Sequence, residues 1–121
     1  MSDPVETLRA FGAAIEQGQP RVAADYFAAD AMYEEPPAPL LRGSDALFAF
    51  FDDFAARHTD VSFTISRAFS NANNARVAAE WRFAYARIAD GTRRVYEGMS
   101  IVEFDADGRI TSWRGFSALL G

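Results

Sequence analysis

The sequence predicts an α+β fold, with helices gathered in the first half and packed on one face of an antiparallel sheet built mainly from the second half. Two observations predict it. Up to about residue 58 small and apolar residues recur at helical spacing, at Val5, Leu8, Phe11, Gly12 and Ile15 and again at Leu47, Phe51 and Phe54. After Thr59-Asp60 the period becomes two, with Val61, Phe63, Ile65, Arg67 and Phe69 alternating with Ser62, Thr64, Ser66 and Ala68. A sheet with one apolar face needs a covering layer, and the helices supply it.

The elements follow in order. Asp3 is a good N-cap, Pro4 suits the first helical position and Glu6 completes a capping-box-like start, so a first helix opens here and ends at Gly18. Pro20 opens a second, short helix over roughly Arg21 to Phe27, with residues 28–30 as its exit turn. Ala31 to Glu35 reads as a short strand stopped by Pro36, which cannot donate to a sheet ladder. Pro36 to Leu41 is a stiff, apolar loop, a connector or a lid over a pocket mouth. Gly43-Ser44 caps a third helix, with Asp45 favourable in its first turn and His58 closing it near the negative end of the dipole. Four strands then form a meander. Asn71 to Asn74 is the first turn, Asp90-Gly91 and Asp105 to Gly108 are hairpin turns, and Gly98 suggests a bulge or bend in the third of these strands.

Bulk properties bound the function. A chain of 121 residues reads as one domain over residues 1–121. A net charge of −5 disfavours nucleic acid, whose phosphates need clustered basic side chains. The absence of cysteine removes disulfide, thiol and zinc–thiolate chemistry, and a single His without Cys argues against a transition-metal site. No cofactor and no metal are expected. No basic segment followed by an apolar run suggests a leader, and no run approaches the ~20 apolar residues of a membrane span, so a cytoplasmic protein is expected. There is no Gly-rich phosphate loop and no strand–elbow–helix serine motif.

The chemistry centres on Tyr33-Glu34-Glu35-Pro36. Residues two apart on a strand share a face, so Tyr33 and Glu35 point together and Glu34 points away; a one-residue slip would exchange the two carboxylates. If Glu35 faces an apolar hollow under the curled sheet, desolvation raises its pKa and suits it to act as a general base. Trp81, Phe83, Tyr85 and Trp113 are expected to wall that hollow, and Arg82 and Arg114 to lie outside it. The mixed outer sheet face, with Glu80, Arg82, Met99, Ile101 and Arg114, is an expected homodimer interface.

The order of elements, the Tyr33-Glu34-Glu35-Pro36 strand end, the Leu41-Arg42-Gly43 approach to the third helix and the run from Val102 to Arg114 together resemble the SnoaL-like branch of the nuclear transport factor 2-like superfamily. That superfamily includes ketosteroid isomerase, limonene epoxide hydrolase and polyketide cyclases. The resemblance implies a cone-shaped, strongly curved antiparallel or mixed sheet wrapped around three N-terminal helices, a cystatin-like α+β barrel. It implies an apolar small-molecule ligand, places the catalytic candidate Glu35 at the isomerase's general base and places Tyr33 on a first-strand tyrosine of the epoxide hydrolase; Tyr33, Tyr85 or Ser100 could hydrogen-bond a developing oxyanion. Phe11 and Ser100 stand where the isomerase has oxyanion donors. Trp81, Phe83 and Gly115 replace the charged residues of the epoxide hydrolase. The expected ligand-binding set is Phe11, Phe54, Trp81, Phe83, Tyr85, Ser100 and Trp113. The expected function is a cofactor-free enzyme of the isomerase, cyclase or hydrolase kind, with a non-catalytic binding domain or a dimerisation module as the alternatives.

Overall fold

The computed structural model describes residues 3–71, 73 and 75–121. Its elements run α1 (Pro4–Glu16), α2 (Pro20–Asp25), β1 (Phe27–Glu34), β2 (Leu41–Arg42), α3 (Ser44–Arg57), β3 (His58–Ser70), β4 (Arg76–Arg87), β5 (Arg93–Phe104) and β6 (Ile110–Leu119). The expected turn at Asn71 to Asn74 falls partly outside the described residues. Among the described residues no helix is long and apolar enough to cross a membrane.

Local chemistry starts α1 as expected, α3 begins at Ser44 after Gly43 with no side-chain cap bond, and tertiary pairing moves the end of α2. Asp3 caps α1 by accepting the Val5 N–H at 2.9 Å. α2 stops at Asp25, two residues short of the expected end. The Tyr26 carbonyl accepts the Ile110 N–H at 2.9 Å, and Phe27 pairs with Ile110 as the start of β1. The last strand thus draws this segment out of the helix.

The sheet has six strands in the order β2-β1-β6-β5-β4-β3. All neighbours are antiparallel except β1 and β6, which run parallel, so the sheet is mixed. Its curl can be read from one ring. Phe11 of α1 touches Phe27 of β1 at 5.4 Å, Trp113 of β6 at 5.5 Å and Phe63 of β3 at 6.3 Å between centroids. In a flat sheet β1 and β3, four strand spacings apart in this order, would lie roughly 19 Å from one another. The sheet therefore wraps α1 and α3, and Leu8, Leu47, Val77, Val102 and Ile110 fill the fully buried centre.

Gly98 is not a bulge. The β4–β5 and β5–β6 ladders both run through it in continuous register, opposite Trp81 and Ser117. Its lack of a side chain serves close approach instead: a Cβ there would lie 2.6 Å from the Trp81 ring and 2.7 Å from the Phe116 carbonyl oxygen. The Trp81 ring thus comes close against the glycine, and Trp81 lines the cavity. Gly98→Ala is expected to destabilise the protein by roughly 1–3 kcal/mol, the usual cost of overpacking, read from urea unfolding midpoints. An unchanged midpoint would mean that the indole moves aside freely.

Candidate active site

Tyr33 and Trp113 are register partners across the parallel β1–β6 pair. Their side chains stand together on the concave face, with rings stacked at 5.6 Å and 20°. Glu35 lies one residue beyond β1, not within it, yet keeps the same face as Tyr33. Its Oε1 accepts two hydrogen bonds, from the Tyr33 hydroxyl at 3.0 Å and the Trp113 indole N–H at 2.9 Å. Glu34 points to the opposite side and pairs with Arg114 at 3.0 Å. Arg82 is likewise exterior, paired with Glu97 at 3.0 Å.

Gly115 lets the carboxylate sit this close to the sheet. A Cβ at that position would meet Ser100 Oγ at 2.6 Å, Trp113 Nε1 at 3.2 Å and Glu35 Oε1 at 3.4 Å. A larger residue would push the carboxylate and the serine apart.

The carboxylate opens onto a cavity of about 100 Å³. Phe11 and Ile15 of α1, Phe50, Phe51 and Phe54 of α3, Phe63 of β3, and Trp81 and Phe83 of β4 line it together with Tyr33 and Glu35. The Trp81 N–H is spent on the buried Ser100 hydroxyl at 2.8 Å, so the polar groups facing the cavity are the Tyr33 phenol and the Glu35 carboxylate.

Burial dominates the electrostatics. It lifts the Glu35 carboxyl above its ordinary 4.5, while the hydrogen bonds from Tyr33 and Trp113 pull it part of the way back. Burial, followed by the charge of Glu35 and the bond to it, holds the Tyr33 phenol well above 10.0. Tyr33 therefore remains a protonated donor while Glu35 gains and loses a proton. Both donors converge on Oε1, which leaves Oε2 as the oxygen open to a ligand. The arrangement can accept a proton, hold it in an apolar setting and return it.

Of the residues singled out from the sequence, Glu35, Tyr33, Phe11, Phe54, Trp81 and Phe83 meet around the cavity. Three do not line it. Ser100 is 2% exposed and its oxygen holds the Trp81 N–H. Trp113 is equally buried and reaches the site only through its N–H. Tyr85 packs behind the wall, 5.3 Å from Phe54 and 4.5 Å from His58, and its phenol is pushed up to about 12, chiefly by burial. His58 stacks on Phe54 at 4.2 Å with Nδ1 2.9 Å from the Phe54 carbonyl oxygen, also outside the cavity. The loop from Pro36 to Leu41 contributes no lining residue; Leu41-Arg42 instead forms β2 on the edge of β1.

Ile15, Phe50, Phe51 and Phe63 line the cavity without having been singled out. Ile15 lies one turn beyond Phe11, and helical spacing could have added it. Phe50, Phe51 and Phe63 carry side chains that suit a core as well as a cavity, and sequence alone does not separate a wall from a filling.

A SnoaL-like domain family model matches residues 8–113. A steroid Δ-isomerase of Nocardioides simplex is 32% identical over 106 residues, covering 87% of this chain and 81% of that protein. An epoxide hydrolase of Mycobacterium tuberculosis that resembles limonene epoxide hydrolase superposes with a TM-score of 0.83 at 22% identity, over 96% of this chain and 83% of that one. Another M. tuberculosis protein, solved in complex with estradiol-17β-hemisuccinate, superposes at 0.82 and 18% identity, over 95% of this chain and 93% of that one. At these identities the two structures share the fold.

Trp113→Phe removes one of the two bonds that hold the Glu35 value down, so Glu35 is expected to titrate at a higher pH than in the parent, followed by carboxyl ¹³C NMR. The sign for stability follows. With the folded value above the unfolded one, the stability contributed by the protonated form is complete below the ordinary 4.5 and is lost as pH rises through the folded value. In Trp113→Phe that loss extends to higher pH. An unmoved titration would mean that Trp113 does not support the charged form.

Proposed function

The chain belongs to the SnoaL-like domain family, and from that premise we propose that it is a cofactor-free proton-transfer enzyme of the isomerase or cyclase kind. Glu35 serves as general acid/base on an apolar substrate that carries a carbonyl group. The observation that carries this reading is a half-buried carboxylate that lines an aromatic cavity, with both of its donors, Tyr33 and Trp113, on one oxygen, Oε1. The steroid Δ-isomerase relative supports the reaction class. The neighbour solved with estradiol-17β-hemisuccinate supports an apolar ring system as ligand.

Glu35 Oε2 takes a proton from the carbon next to the carbonyl, and the electron pair moves onto the carbonyl oxygen as an enolate. Glu35 then returns the proton at the far end of the conjugated system. While Glu35 is charged, Tyr33 is bound to it by a charge-assisted bond. Once Glu35 is neutral that bond weakens, and the phenol can turn toward the enolate oxygen. Phe11 offers no donor, and Ser100, whose oxygen accepts the Trp81 N–H, is 2% exposed and does not line the cavity. A single donor therefore serves the oxyanion, and with each missing donor costing roughly 10²–10³ in rate, turnover is modest.

A second reading, a non-catalytic binding domain for an apolar molecule, is favoured by one feature: the polar groups of the cavity are bonded to each other. Glu35→Gln separates the two, since Gln keeps an oxygen for both donors. With 3-cyclohexenone and a Δ5-3-ketosteroid as substrates, followed by absorbance of the conjugated product, kcat is expected to fall by roughly 10²–10⁴ with ligand affinity retained. Unchanged conversion would remove Glu35 from the chemistry.

We further propose a homodimer through the outer sheet face. Met99 and Phe116 are cross-strand partners, 57% and 55% exposed, and Ile101 beside them is 59% exposed. A contiguous apolar patch framed by ion pairs is the usual mark of a protein interface. Met99→Glu is expected to yield a monomer in sedimentation equilibrium while Gln in place of Glu35 leaves the dimer intact.

A further inference from the structure

We propose that Phe50 is the specificity-determining residue of the cavity: its ring, the most exposed of the lining side chains, is displaceable and sets the size of substrate that reaches Glu35. The inference rests on the reading of this cavity as the substrate site. It goes beyond that reading in naming what limits the substrate.

The cavity of about 100 Å³ is too small for an extended ring system. Pockets that enclose drug-sized ligands run to about 300–1,000 Å³. Anything larger than a single small ring needs a wall to move. Phe11, Phe51 and Trp81 are 2%, 4% and 3% exposed and belong to the core, so moving them would open voids elsewhere. Phe54 is clamped between His58 at 4.2 Å and Phe83 at 5.4 Å. Phe63 lies on Trp81 at 5.7 Å.

Phe50 differs. It lines the cavity and is nevertheless 43% exposed, so one side of its ring faces the ligand space and another faces water. Its ring contacts are tilted ones, with Tyr33 at 6.0 Å and Phe51 at 5.8 Å. A change of rotamer swings it outward with α3 unmoved, and exposed side chains make such changes on a picosecond-to-nanosecond scale. The space uncovered lies over Tyr33, the residue bonded to Glu35. Bulk admitted there lies beside the reacting carboxylate. The closed position shields the site when it is empty, and a substrate with more rings must displace Phe50 to be seated.

The test is a size series. Binding of 1-indanone, anthrone and a four-ring 3-ketosteroid is titrated by quenching of tryptophan emission in the parent, Phe50→Ala and Phe50→Trp, with circular dichroism to confirm folding. Phe50→Ala is expected to tighten the four-ring ligand about tenfold relative to 1-indanone, the scale on which a pocket's size limit discriminates. Phe50→Trp is expected to shift the ratio the opposite way. Acrylamide quenching without ligand gives a second readout, with tryptophan emission more accessible in Phe50→Ala than in the parent. Equal shifts for all three ligands, or no shift, would overturn the role of Phe50 and leave the cavity reading standing. No binding of any ligand to parent or variants would overturn both.

Discussion

The parallel pairing of β1 with β6 is the constraint on which the site depends. It sets Tyr33 beside Trp113, 80 positions apart in the numbering of the chain, with their rings stacked. Those two residues supply the two donors to Glu35 Oε1. Neither donor alone would fix the carboxylate: a single bond leaves rotation about it, whereas two converging bonds define which oxygen is held and which is presented. The same pairing explains why α2 is short, because the chain leaves the helix at Tyr26 to meet Ile110. One strand contact thus determines an element boundary, the orientation of the acid and the floor of the cavity.

A cavity also needs side chains that stop short of filling it. Aromatic rings serve because they are large, flat and rigid, and cannot collapse into a gap as a flexible chain would. Phe11, Phe51, Phe63 and Trp81 lean on one another around the hollow. Gly98 allows Trp81 to come close against β5, and Gly115 allows Glu35 to sit near the sheet. In both places a missing Cβ determines where a neighbouring functional group comes to rest.

Much of this was legible in the sequence, and what was not has physical reasons. The change of period near residue 59 separates helices from strands, and the Asp3 cap and the hairpin turns mark boundaries, because these signals act within a few residues. The i, i+2 relation of Tyr33 to Glu35 holds even though Glu35 lies one residue beyond the strand, as the bond between their side chains shows. The parallel partner of β1 was not legible, because nothing local in Phe27 or Tyr33 points to residues some eighty positions on. Gly98 carries the same composition signal whether it makes a bulge or admits an indole. Ser100 and Trp113 lie on the concave face, but the Ser100 oxygen takes the Trp81 N–H and the Trp113 N–H goes to Glu35, and such partners are settled only once strands are in register. Phe50 and Phe51 are neighbours on one helix and read alike, yet one is 4% and the other 43% exposed.

The charge on Glu35 is supported in an unusual way for a buried acid. The ion pairs among the described residues lie on exposed arginines, and Glu34 rather than Glu35 takes Arg114. Two neutral donors stand where a cation would otherwise be. A cation would pin the carboxylate in its charged form and make it a weak base, because opposite charge at short range lowers a carboxyl pKa. Neutral donors stabilise the charge less, so the surroundings retain control over the proton. An apolar molecule filling the cavity beside Glu35 would remove solvation from the charged form and raise the proton affinity of the carboxylate further. Under the proton-transfer reading, base strength would then be tied to how completely the cavity is filled, and closeness of fit between ligand and aromatic wall would enter the chemistry as well as the binding.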